Sequence, residues 1–451
     1  MLTELSIEIL CHIAEELDRQ QDRYHLAVSC RRLYDVLLPS LFSHVRLCET
    51  RRKHSIRQVS QFLYAVVRNP KLANFVRVLE LDCWETREDH YSPPPLVLES
   101  RDGSEKDFEY DVTVIQTLLD ESTCSAEERT QWKQDVQFGI TDAWLALLIP
   151  RLGALRKINL TWPFSQDRLY VSKMLDRAVS GEDPGFPHLD EAFGSWYDTE
   201  NGADTTLMHP FFGFPAMSKL GGFSLEENAH ASNQTQPSSS FSSTITDIDL
   251  ARTNASYGMR YWIESCKVLR SFRINHGGAT VGYDDFNPRA LYESLLLHKK
   301  TLERIWLGSD EELFPDDNPW IGSFVDFPVL KTLKVSIKGL ALLDDEDEPT
   351  RELTNVFPPS LENLYLWECD KELFGWAIEQ LESLIDAEIL PKLATLNLES
   401  PKMEDLDDQQ KLDQLRRRCE DAGIAFNGDD WVYWPFFPSF FPGKSFFYPL
   451  Q

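Results

Sequence analysis

No stretch of this 451-residue chain approaches the roughly 20 consecutive apolar residues that span a bilayer as a helix. The opening Met1-Leu2-Thr3-Glu4 has no basic region and no apolar run behind it, so no signal peptide is expected. Cysteines are few, eight in all, at 11, 30, 48, 83, 124, 266, 369 and 419, and no two form a CxxC pair. That excludes a disulfide scaffold and fits a reducing compartment, cytoplasmic and/or nuclear. Catalytic signatures are also missing: the chain has no HExxH, GxSxG, GxxxxGK[ST] or GxGxxG. Its ten histidines lack metal-ligand spacing. A non-catalytic protein without metal or cofactor is expected. Basic residues are in deficit, 45 against 73 acidic, for a net charge of −28. Residues 1–80 hold 12 Lys/Arg and 9 Asp/Glu, so the deficit belongs to the remainder. An acidic body repels phosphate backbones and anionic lipid, which argues against nucleic acid and membrane and favours a basic protein target. Plain solubility is the alternative meaning of this charge.

The first forty-odd residues hold an apolar helical face, Leu5, Ile9, Leu10, Ile13 and Leu17. Ser6 can cap this helix, and Glu8 suits its first turn. Asp22 is placed to cap a second helix with Leu26 and Val28, and Ser29 a third, through Leu33, Val36 and Leu37 towards Pro39. Such a small unit needs a neighbour or partner to lean on.

The order Leu5-Ser6-Ile7-Glu8-Ile9-Leu10-Cys11-His12-Ile13, then Val28-Ser29-Cys30-Arg31-Arg32-Leu33, resembles the F-box family, and 38–47 (LPSLFSHVRL) resembles its fungal members. Ser6 stands where the family has proline. The resemblance implies docking to a Skp-type adaptor, and through it to cullin and RING subunits. The contacts it implies are Leu5, Ser6, Ile9, Leu10 and Val28, with Ile13, Leu17, Leu26 and Leu33 internal. An ordinary three-helix cap on the following domain is the alternative.

Beyond residue 70 an apolar-x-x-apolar-x-apolar pattern recurs. It starts at Val76, Leu155, Leu220, Ile245, Leu269, Leu302, Leu330, Leu361 and Leu393, with a weaker instance at Leu189. Recurrence at near-repeat spacing predicts a solenoid, each motif ending in a short strand. Helical stretches fall between motifs, at 288–298 and 372–388. Phe-Pro or Leu-Pro (186–187, 214–215, 327–328, 357–358, 390–391) ends a helix and turns the chain into a strand. The pattern resembles the irregular leucine-rich repeats joined to F-boxes in fungi, without the Asn usual after the strand. The expected fold class is α/β: an N-terminal three-helix F-box at 1–47, then a leucine-rich-repeat solenoid at 48–427 with parallel strands on its concave face and helices on its convex face. A mixed α/β domain with ordinary buried strands is the alternative.

Residues 85–111, with Pro93-Pro94-Pro95, and 226–244, with Ser238-Ser239-Ser240, read as inserted loops. The run Asp344-Asp345-Glu346-Asp347-Glu348 reads as a solvated loop. The tail 428–451 has ten aromatics between Trp431 and Tyr448, and prolines 435, 438 and 442 forbid a continuous helix. It reads as a strap over the last repeat or as a partner-binding segment.

Residues between the apolar strand positions point to the opposite face. They are Glu80, Asn159, Ser224, Asp249, Arg273, Trp306, Lys334, Tyr365 and Asn397, with Asp82, Trp84, Trp162, Glu226, His276, Asp310, Trp367, Glu368 and Glu399 at the rim. Trp306, Tyr365, Trp367, Glu80 and Asp249 are the leading candidates for a substrate face, aromatics anchoring and charges selecting. The expected function is substrate recognition for an SCF-type ubiquitin ligase. A scaffold acting without the cullin is the alternative.

Overall fold

The computed structural model describes residues 4–17, 19–48, 56–82, 84–91, 110–122, 124–166, 169–181, 185–198, 201–227, 242–277, 286–309, 320–341, 349–399 and 406–428. Most of the loop at 85–111, most of that at 226–244, the 344–348 acidic run, Asp310 and the tail beyond Gly428 lie outside them. Two compact units are formed: residues 1–197 with 213–217, and 198–212 with the chain from 218 onward.

The first unit opens with three helices, α1 (Ile7–Glu15), α2 (Gln20–Val28) and α3 (Arg31–Ser43). Their core is Leu10, Ala14, Ala27, Leu33 and Leu37, with Leu5, Leu26, Cys30, Val36 and Leu41 packed against it. Ser6 is the N-cap of α1, but its side chain caps no backbone N–H. The hydroxyl instead bonds Glu8, whose carboxyl sits below its ordinary pKa through its own backbone N–H and then through Ser6. Asp22 lies inside the first turn of α2, not before it, and Cys30 rather than Ser29 precedes α3. Ser29 Oγ bonds the Leu26 carbonyl instead, at 2.7 Å. Helix α3 also runs through Pro39 to Ser43. The missing proline N–H strands the carbonyl four residues back, at Asp35, which is exposed and can be met by water.

Four parallel strands follow in order: β1 (His44–Leu47), β2 (Val78–Leu81), β3 (Lys157–Trp162) and β4 (Glu191–Trp196). Strand β1 lies inside the stretch assigned to the N-terminal module, with Val45 and Leu47 in register with Leu79 and Leu81. The weak motif at Leu189 does end in a strand, where Ala192 and Gly194 fill the inward positions opposite Ile158 and Leu160. Helices Arg57–Arg68 and Thr141–Leu148 bury Val59, Leu63, Val66 and Trp144. The residues at 85–111 that are described include a short helix, Arg87–Tyr91.

A buried polar knot holds this unit's helices. Asp142 accepts the backbone N–H groups of Tyr170 and Val171 at 2.7 and 3.0 Å, closing the N-terminus of helix Tyr170–Ser180. Asp135 receives the Tyr170 hydroxyl at 2.7 Å and Arg87 at 3.0 Å. Burial pushes the Asp142 carboxyl up to about 7, with Asp135 and Glu88 adding to the rise and the two N–H bonds opposing it. A folded-state pKa above the unfolded value means that folding takes up a proton. Stability from this group is therefore present below the unfolded value and falls as pH rises towards about 7. The expected loss across that window is about 4 kcal/mol at most, at 1.36 kcal/mol per unit. Asp142→Asn should flatten the fall in melting temperature between pH 5 and 8. An unchanged slope would place the titration elsewhere.

The second unit contains β5 (Ala203–Asp204), β6 (Lys219–Phe223), β7 (Leu225–Glu226), β8 (Asp247–Ala251), β9 (Ser271–His276), β10 (Arg304–Ser309), β11 (Thr332–Ser336), β12 (Asn363–Trp367), β13 (Thr395–Leu398) and β14 (Ala425–Asn427). Apart from the pair β5–β7, these stack in chain order, all parallel. Inward rows such as Ile248–Phe272–Ile305–Leu333–Leu364–Leu396 are 0–1% exposed. Each fully buried member contributes about 1.5–3 kcal/mol. Strand β14, with Phe426 opposite Leu396, extends the stack past the last motif read from sequence.

Two backbone devices recur. The carbonyl of Thr246, Arg270, Glu303, Lys331 or Glu362 receives two successive N–H groups from the start of the next strand, fixing its register. The carbonyls of Phe186, Phe214, Phe327 and Leu390 accept the N–H three residues on, and Pro358 does the same for Leu361. Proline at the second position pre-sets the φ of such turns.

One repeat is displaced from the reading above. Leu220 pairs with Ile248 and Gly222 with Leu250, so the motif starts at Met217 rather than Leu220. Ser224 is then not an outward strand residue. It is fully buried at a left-handed bend, φ 52°, after β6.

Candidate interaction surfaces

The residues singled out by the sequence fall on two surfaces. The first lies on the N-terminal helices. Ile9 and Val28 are 49% and 48% exposed, and Ile7, Tyr24 and Tyr34 are also exposed. Ser6 is exposed and Leu5 half-buried. Leu10, expected among the contacts, is 1% exposed and belongs to the helix core. Of the residues expected inside, Leu33 is buried, while Ile13, Leu17 and Leu26 are half-buried. Arg32 Nη2 bonds the Leu5 carbonyl at 2.8 Å, and Gln20 Nε2 bonds the Leu41 carbonyl at 2.8 Å, so the helices are tied by polar contacts as well as by their small core.

The second surface is the outward face of the second unit's sheet. Register places Asp249, Arg273, Trp306, Lys334, Tyr365 and Asn397 side by side on adjacent strands. Asp249 and Arg273 are 3.4 Å apart. The Arg273 guanidinium lies 5.4 Å and the Lys334 ammonium 4.8 Å from the Trp306 ring centroid. Tyr365 closes on the same ring at 5.2 Å. Burial lowers the Arg273 pKa and Asp249 opposes the change, while burial raises that of Tyr365, whose phenol therefore stays protonated at neutral pH.

This packing corrects the expectation of aromatic anchors. Trp306 is 5% and Trp367 8% exposed, their area spent within the protein. Trp367 also donates its indole N–H to the Leu307 carbonyl at 2.7 Å. Trp84 and Trp162 are buried too, Trp84 donating to the Thr161 carbonyl at 2.6 Å. Glu80, on the first unit, is 5% exposed and paired with His44 at 2.8 Å and Arg46 at 3.9 Å, so it is not a free selecting charge. Asn159 is also buried. At the rim, Glu368 sits at φ 59° and accepts from Ser336 Oγ at 2.5 Å, and His276 lies 5.0 Å from the Phe286 ring. Asp82, Glu226 and Glu399 are half-buried.

Burial pushes the thiols of Cys266 and Cys369 up to about 12 and that of Cys419 up to about 11, which keeps them protonated. No group of three or more His, Cys, Asp or Glu suited to a metal ion occurs among the described residues. None of their helices is long and apolar enough to cross a membrane.

A leucine-rich repeat domain is found in residues 186–408, by match to the model of that domain. It takes in strands β4 to β13. No curated protein matches the chain.

Proposed function

We propose that this chain is the substrate-recognition subunit of an SCF-type ubiquitin ligase. Its N-terminal helices dock a Skp-type adaptor, which brings cullin and RING subunits, and its repeat holds a protein target. The observation that carries the reading is the sorting of side chains on α1 and α2. Ile9 and Val28, at positions where the F-box resemblance places adaptor contacts, stand about half exposed, while neighbouring Leu10 fills the core. Exposed apolar side chains of this size on a small helical unit suit a partner surface. The leucine-rich repeat supports protein–protein interaction through the rest of the chain.

The chain performs no chemistry in this role. It brings target lysines close to a recruited conjugating enzyme, a gain of proximity. Action in the cytoplasm and/or nucleus follows from that partnership.

Ser6 offers a direct test. Its φ of −65° is already that of proline, so Ser6→Pro should fit the backbone and restore a rigid apolar ring at the contact. The expected result is tighter adaptor binding in a pull-down with purified adaptor. An unchanged complex would show that residue 6 does not lie at the contact, and a weaker one that it is not the proline position of the motif.

A further inference from the structure

We infer that the aromatic tail of this chain folds back into an apolar cavity at the end of the repeat, with the segment Trp434-Pro435-Phe436-Phe437 as its occupant. The cavity, about 300 Å³, lies between β12, β13, helix Lys371–Asp386 and the turn before β14. Leu364, Leu381 and Leu396 line its depth at 0–1% exposure. Ile385 and Leu393 are only half-buried and Ala422 is exposed, so the cavity opens to solvent on that side. Leu393 departs from the rule of its row. Its counterparts Leu269, Leu302, Leu330 and Leu361 are each 0% exposed. A further motif lies beyond each of those, and a repeat array needs a cap where its repeats stop. Leu390 widens the gap, standing before proline where earlier turns have the larger Phe327 and Phe357.

The tail fits this cavity by size, position and reach. An apolar cavity of about 150 Å³ takes one benzene ring, so this one takes about two. The tail carries ten aromatics between Trp431 and Tyr448. The described chain ends at Gly428, four residues beyond Ile424, which lines the cavity. The way back along β14 is about 13 Å at about 3.3 Å per residue. The eight residues from Gly428 to Phe436 can span about 27 Å. Gly428-Asp429-Asp430 supplies turn residues for the reversal. Tethering favours the chain's own tail over a free apolar partner, since it sets an effective concentration on the order of millimolar. A second copy is disfavoured by its own net charge of −28.

The test places p-benzoylphenylalanine at position 436 of the full chain and maps the photo-crosslinks by mass spectrometry. The expected link joins the tail to a peptide holding Ile385, Leu393 or Ala422 within one chain. Ala422→Trp, which fills the exposed mouth, should lower its yield sharply. Hydrogen exchange reads the same contact without the probe. Ending the chain at Gly428 should speed exchange at residues 384–396 about tenfold and leave β9 unchanged. Links to other parts of the chain, a yield untouched by Ala422→Trp, or exchange at 384–396 indifferent to truncation would overturn the assignment. Links between two chains overturn it in favour of a second copy. Absence of any link in the isolated chain overturns it and leaves the tail to a partner.

Discussion

Ile9→Asp should weaken capture of a Skp-type adaptor by about thirtyfold or more while leaving the melting temperature in place. The size follows from truncating an apolar contact at an interface centre, worth about 2 kcal/mol or more, with 1.4 kcal/mol per tenfold. Stability should hold because Ile9 is 49% exposed and an exposed helix position tolerates a charge. Leu10→Ala should show the reverse order of effects. It deletes a core side chain and should cost about 2–5 kcal/mol of stability. Adaptor binding would fall only as far as the helices unfold. Analytical ultracentrifugation with the purified adaptor, beside thermal unfolding of each variant, separates the two. Equal loss of stability in both variants would mean that Ile9 is packed inside the helices as Leu10 is.

Gly258→Ala should be a strongly destabilising change in the second unit. Gly258 has φ +76°, a region L side chains avoid, at a cost of about 1–2 kcal/mol. A Cβ there would also lie 2.4 Å from the Ala290 carbonyl oxygen and 2.8 Å from the Leu291 nitrogen, so backbone must move. Together these should cost about 3 kcal/mol, the overpacking share being about 1–3. Denaturant unfolding of the full chain reads this as an earlier transition. A neutral result would mean that the helix beginning at Pro288 can shift away freely.

The repeat was legible because a strand has period two and a repeat restates it. Leu302-x-x-Ile305-x-Leu307 and its successors place three inward side chains each, and all of these except Leu393 are buried. Legibility failed where glycine took an inward position. Gly222 carries no side chain to mark the strand, while Phe223 and Leu225 imitate one in the wrong register. The edges were missed for related reasons. Val45 and Leu47 lay within the stretch assigned to the N-terminal module, and only Phe426 marks β14. The candidate face was half legible. Alternation says which side Trp306 takes, but not that the next strands place Arg273 and Lys334 over its ring. Such neighbours depend on inter-strand register, which the carbonyls preceding each strand set. Glu80 misled in the same way, since its partners His44 and Arg46 come from a strand hidden in the N-terminal motif.

We propose that the N-terminal helices are a docking module. Calorimetric titration of the purified full chain with a purified Skp-type adaptor tests it most directly. The expected result is a saturable one-to-one complex whose heat is lost with Ile9→Asp. Absence of binding by the wild-type chain, or binding untouched by Ile9→Asp, would contradict it.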